Sequence, residues 1–244
     1  MGSGPAGLAC AAQLNRAGHL GAAFLLAASL GGRDLQALVW PASPLVGPTF
    51  EARVERHAFP EAQRAAAGGY ANGVLWPVCH YRLDLADFDA GYIDGYRRVN
   101  QLFARLLAPM LRPDDLVWVH DYHLMPLASE LRALGCQQRI GFFLHIPLPP
   151  PMILAAIPGH DWLVRGLCSY NVVGFQSQTD HEHFCRYIQR EAMGQAVGEG
   201  RWRVFNRTVQ AGAYPIGIDV GEFTTLTGAR EAREMYQRMA REYS

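Results

Sequence analysis

Lysine is missing from the 244 residues: all 22 basic side chains are arginine, set against 22 acidic ones, and the formal net charge is +0. Two large enzyme classes are thereby excluded for this chain acting alone. A P-loop sets a lysine against nucleotide phosphates, and a pyridoxal enzyme holds its cofactor as a lysine Schiff base. With no cationic excess to attract a phosphate backbone, nucleic acid is not an expected partner. Cysteine is scarce: Cys10, Cys79, Cys136, Cys168 and Cys185 are scattered and odd in number. They match neither zinc-ligand spacing nor a secreted disulfide framework, so a reduced, cytoplasmic compartment is expected. Long apolar runs are lacking too. The stretch around residues 20–30 is too short to span a bilayer and has no basic leader, so no membrane association is expected.

What is present is enough apolar material for a substantial core, 50% hydrophobic against 18% charged residues. One large domain or two small ones follow, and disorder is excluded as the main state. Four apolar runs at residues 116–119, 140–144, 172–175 and 209–214 read as buried strands. Helical stripes fall at 96–111, 125–134, 161–168 and 179–191, with Thr179 and Asp180 in the N-cap positions of the last. Strands alternating with helices at this spacing predict βαβ units, hence a Rossmann-like parallel sheet flanked by helices. Residues 1–68 read as an irregular N-terminal part, 69–220 as the core, and 221–244 as a charged helical tail. A flexible loop is expected at 194–201.

Each strand runs into polar residues: His120-Asp121-Tyr122-His123, then His145, then Gln176-Ser177-Gln178-Thr179. Ligands of open parallel sheets bind beyond the carboxyl ends of strands, so repeated polar ends point to one shared site. Asp121, flanked by Trp118 and Tyr122, is placed to accept hydrogen bonds from sugar hydroxyls. His145 precedes Ile146-Pro147-Leu148-Pro149-Pro150-Pro151, and those prolines stiffen the turn that carries it. Trp76 offers a flat face for a sugar ring, with a core tryptophan as the alternative. A metal held by His120, Asp121 and His123, with His181 and His183 more distant, is a weaker reading, because structural histidines are commoner than ligands.

Six strings together resemble the trehalose-6-phosphate synthase family: residues 72–85 (NGVLWPVCHYRLDL), 95–100 (GYRRVN), 117–126 (VWVHDYHLMP), 139–149 (RIGFFLHIPLP), 173–179 (VGFQSQT) and 214–219 (YPIGID). The resemblance implies a retaining glucosyltransferase of GT-B type, which moves glucose from UDP-glucose to glucose 6-phosphate with no metal ion or other cofactor. It places this chain in the N-terminal, acceptor-binding half of that fold, with the nucleotide-sugar domain absent. Carried over by motif, Asp121 and His145 are the catalytic candidates: Asp121 binds the sugar substrates and His145 contacts the transferred glucose. Tyr122 lines the acceptor side, and Trp76 lies against the acceptor ring.

The chain departs from the family in several places. The arginine that grips the acceptor phosphate near the family's N-terminus has no counterpart before Gly2, and a tyrosine expected nine residues before Trp76 falls on Ala67. The tryptophan-rich segment that follows the family's glycine loop is absent, and Gly7 remains as a weak match to the donor-side glycine loop. Two alternatives follow. One is a catalytically inactive acceptor-binding fragment, whose uncovered surface would favour a homo-oligomer. The other is a flavin or NAD oxidoreductase, carried by Gly2-Ser3-Gly4-Pro5-Ala6-Gly7 alone.

Overall fold

The computed structural model describes residues 67–215, 217 and 220–242, together with strands at 23–29, 36–41 and 52–53. It divides at Tyr214 and Pro215 into two compact units. The first unit is built on one nine-stranded sheet in the order β3-β2-β1-β4-β5-β6-β9-β8-β7. Its strands are β1 (Ala23–Ser29), β2 (Gln36–Pro41), β3 (Ala52–Arg53), β4 (Leu116–His120), β5 (Arg139–Leu144), β6 (Val172–Phe175), β7 (Gln195–Gly198), β8 (Arg201–Val204) and β9 (Arg207–Ala213). The five central strands β1, β4, β5, β6 and β9 pair in parallel, while β2, β3, β7 and β8 join antiparallel at the two edges.

The parallel centre is the one the strand–helix alternation predicts. In β5 every residue after Arg139 is buried, as a strand covered on both faces requires. The helices are α1 (Trp76–Cys79), α2 (Tyr92–Leu107), α3 (Leu127–Ala133), α4 (Pro151–Leu154), α5 (His160–Leu167) and α6 (Gln178–Glu191). A wider, π-type stretch at Gly69–Leu75 leads directly into α1. Helix α2 buries Gly95, Tyr96, Val99, Asn100, Phe103, Ala104 and Leu107, one stripe at helical spacing. The second unit contains α7 (Val220–Thr227) and α8 (Arg230–Glu242), the latter where the charged tail predicts a helix. No helix among the described residues is long and apolar enough to cross a membrane.

Three expectations need correction. The sheet begins well before residue 69, because β1, β2 and β3 lie in the segment read as irregular. The loop expected at 194–201 holds β7 and the start of β8, and β8 pairs with β9 through a tight turn at Phe205 and Asn206, both at positive φ. Helix α6 is capped two residues earlier than expected. Its N-cap is Ser177, whose hydroxyl accepts the Asp180 amide at 3.1 Å, so Thr179 and Asp180 lie inside the first turn.

Candidate active site

Strand β4 ends at His120, and the next residue turns sharply. Asp121 has φ 69° and ψ 168°, a backbone conformation that glycine adopts and a side-chain-bearing residue rarely does. Its amide donates to the Phe143 carbonyl at 2.9 Å, which extends the β4–β5 ladder by one rung. The carboxylate then folds back: Oδ1 accepts the Tyr122 amide at 3.0 Å and the His145 amide at 3.4 Å. The ends of the two central strands are thus joined through one side chain.

Three buried side chains hold the turn after Asp121 from behind. Tyr96 Oη donates to the Tyr122 carbonyl at 2.5 Å, Asn100 Nδ2 to the His123 carbonyl at 3.2 Å, and Tyr170 Oη to the Leu124 carbonyl at 2.7 Å. Three consecutive carbonyls that β pairing leaves free therefore find donors in α2 and in the segment after α5. Tyr122 is itself only 8% exposed, and its hydroxyl donates to Asn72 Oδ1 at 3.0 Å. That bond ties the end of β4 to the helical segment carrying Trp76.

Trp76 is 40% exposed, so the core alternative falls away. Its ring stacks on His80 with centroids 4.1 Å apart, and His80 Nδ1 lies 2.7 Å from the Trp76 carbonyl oxygen. His145 Nε2 lies 2.7 Å from His120 Nδ1. Below His145, the Leu148 amide donates to Asp180 Oδ1 at 2.9 Å, and His183 Nδ1 lies 2.8 Å from the Leu148 carbonyl oxygen. The stiff proline turn is therefore fastened to the first turns of α6.

Burial dominates the electrostatics. It pushes the Asp121 carboxyl upward, opposed by the nearby charge on His145, the two backbone amides and His80. His145 is pushed below the ordinary imidazole value by burial, and His120 down to about 3 by burial and by His145. Near neutral pH both imidazoles are uncharged hydrogen-bonding groups. The Cys79 thiol, pushed up to about 12 by burial and by the charges of Asp121 and Asp180, is no nucleophile. Among the described residues no group of three or more His, Cys, Asp or Glu side chains could hold a metal ion.

Of the residues singled out in the sequence, Asp121, Tyr122 and His145 come into direct contact, and Trp76 is linked to them only along the chain, through Asn72 of the segment that precedes it. Gly7 and the glycine pattern at residues 2–7 lie outside the described residues. Ala67 is fully buried, and Tyr70 does not replace the tyrosine expected there, since its hydroxyl is committed to the Pro158 carbonyl at 2.6 Å. The sequence reading missed Tyr96, Asn100, Tyr170 and Asp180 as builders of the site. Their signal is a polar atom in an otherwise apolar, buried stripe.

The parallel α/β sheet thus carries a carboxylate and an imidazole beyond the ends of its central strands β4 and β5, and an exposed indole on a helical segment tied to the end of β4. The profile of glycosyltransferase family 20 matches residues 48–244, and the chain belongs to that family. The trehalose-6-phosphate synthase of Sinorhizobium fredii is 49% identical over 177 residues, covering 70% of this chain and 38% of the relative. The crystal structure of an alpha,alpha-trehalose-phosphate synthase (UDP-forming) from Burkholderia xenovorans in complex with glucose-6-phosphate matches with TM-score 0.67 and 44% identity, over 73% of this chain and 40% of that one. An E. coli trehalose-6-phosphate structure bound with UDP-2-fluoro glucose matches with TM-score 0.73 and 31% identity, over 99% of this chain and 52% of that one. The fold is accordingly the Rossmann-like half of a GT-B glycosyltransferase. The chain spans between 38% and 52% of the length of these three relatives.

Proposed function

We propose that residues 1–244 supply the acceptor-side half of a retaining glucosyltransferase that moves glucose from UDP-glucose to glucose 6-phosphate, in the cytoplasm and without a metal ion. The observation that carries this reading is the joined end of β4 and β5, where the Asp121 carboxylate bridges to the His145 backbone and Tyr122 bonds to the segment that carries the exposed Trp76. Asp121 would accept hydrogen bonds from hydroxyl groups of the sugars, Trp76 would cover the acceptor ring, Tyr122 would line the acceptor side, and His145 would bond to the transferred glucose. The chemistry proposed is a same-face displacement in which the leaving phosphate takes the acceptor proton. The protein then contributes position and electrostatics rather than a nucleophile. The raised thiol of Cys79 and the absence of lysine support that division of labour.

The test has two arms. Residues 1–244 alone are expected to release no UDP from UDP-glucose and glucose 6-phosphate, because the nucleotide-sugar half of the cleft is assigned to other residues. Saturation-transfer NMR is expected to detect glucose 6-phosphate on this chain and to lose the signal in Asp121→Asn. Robust UDP release by the chain alone, or sugar binding indifferent to Asp121→Asn, would overturn the assignment.

A further inference from the structure

His120 is 5% exposed and lies at the last position of β4, yet its ring is not simply filling space. Its Nδ1 is 2.7 Å from His145 Nε2, while the ring centroids are 5.0 Å apart and the planes differ by only 24°. With the nitrogens so close and the centroids so far apart, the rings meet edge to edge, which is the geometry of a single N–H···N hydrogen bond. One proton serves that bond, and either ring could hold it.

The far side of His120 decides which ring does. His120 Nε2 is buried with no hydrogen-bond partner among the described residues. If His145 were the donor, neutral His120 would carry its proton on Nε2, leaving a buried N–H with no acceptor. If His120 is the donor, Nε2 is a bare lone pair. An orphaned buried N–H is the rarer and costlier of the two. A doubly protonated His120 is no way out, because burial drives its proton affinity far below neutrality.

We propose that His120 is a positioning residue: its Nδ1–H donates to His145 Nε2, fixes His145 in the Nδ1–H tautomer and leaves that Nδ1–H to donate to a sugar oxygen. Among the described residues the His145 ring makes one hydrogen bond, to His120 through Nε2, and its Nδ1 meets no partner. The ligand named here rests on the function proposed above, whereas the tautomer does not.

The experiment is a long-range 1H–15N correlation spectrum of the whole chain with 15N-labelled histidine, at neutral pH and without ligand. His145 is expected to show a protonated nitrogen at Nδ1 and an unprotonated one at Nε2. A proton found on Nε2 would overturn the proposal. In His120→Phe, which keeps a ring but removes the donor, His145 is expected to become a mixture of tautomers, and His120→Asn is expected to restore the single form. An unchanged His145 tautomer in His120→Phe would also overturn it. Should the phenylalanine variant fail to fold, the unsubstituted chain decides alone. Sugar affinity is expected to fall about fivefold in His120→Phe, the scale of one neutral hydrogen bond. A correct tautomer whose Nδ1–H signal ignores added UDP-glucose or glucose 6-phosphate would remove His145 from the proposed function and leave the role of His120 standing.

Discussion

Asp121 is held where an L-residue is strained, and the strain is local to the very side chain that faces the site. Backbone held in this region costs about 1–3 kcal/mol unless the residue is glycine. Asp121→Gly and Asp121→Ala both lose the bonds to the Tyr122 and His145 amides, but only glycine relieves the backbone. The glycine variant is expected to be more stable than the alanine variant by about 1 kcal/mol or more in urea melts, although alanine is ordinarily the less costly substitution. Equal stability of the two variants would mean the turn carries no strain.

The buried histidines set the acid response. Burial holds His120 down to about 3 and His123 down to about 4, both below the ordinary imidazole value. Between those values and about pH 6.5 the unfolded chain binds protons that the folded chain refuses. Stability is therefore fully present above about pH 6.5 and is lost as pH falls, by up to ~1.4 kcal/mol per pH unit for each such group. Asp121 acts with the opposite sign, since a raised carboxyl takes its proton more readily in the folded state. Urea midpoints measured from about pH 7.5 down to 4.5 should fall steadily, and His123→Phe should make the fall shallower by about one proton. A flat profile would contradict the burial of these rings.

At the scale of elements, the clamp between the proline turn and α6 is the joint most open to test. Ser177 and Asp180 form a reciprocal cap, with the hydroxyl donating to Asp180 Oδ2 at 2.6 Å while accepting the Asp180 amide. Asp180 also receives the Leu148 amide from three residues beyond His145. Ser177→Ala is expected to cost about 1 kcal/mol, the usual worth of such a cap, read as a lowered urea midpoint. No change would show that Asp180 alone holds the joint.

The elements differ in how far the sequence reveals them, for physical reasons. Strands β4, β5 and β6 are covered by helices and read as apolar runs, so their ends, and with them Asp121 and His145, are legible. Strand β7 is exposed along its whole length and gives no apolar pattern to read, while two-residue β3 is too short to have a period. The residues behind the site are hidden differently. Tyr96, Asn100 and Tyr170 lie 26, 23 and 46 positions from the carbonyls they serve, and no local spacing encodes such partners. Tyr96 and Asn100 do share the buried stripe of α2, where two polar side chains four residues apart mark a face that meets more than apolar neighbours.

For the molecule as a whole, the proposed acceptor affinity is limited by what the sequence lacks. A buried alanine stands at position 67, where relatives of this kind are expected to offer a phenol. Stabilisation by a ligand scales as RT ln(1 + [L]/Kd), so a weakened site raises Tm little. Glucose 6-phosphate is expected to shift Tm at most slightly at millimolar concentration, and Ala67→Tyr is not expected to rescue it simply, because the position is closed to solvent. A large shift with the unaltered chain would mean that other residues grip the phosphate.

The three donors behind residues 122–124 have a thermodynamic outcome of their own. Because those carbonyls are engaged before any sugar arrives, the turn has little conformational freedom left to surrender on association. Calorimetry of sugar binding should then show a favourable enthalpy with only a small opposing entropy from the protein. Replacing Tyr170 with phenylalanine should enlarge that opposing entropy, although residue 170 touches the Leu124 carbonyl and not the sugar.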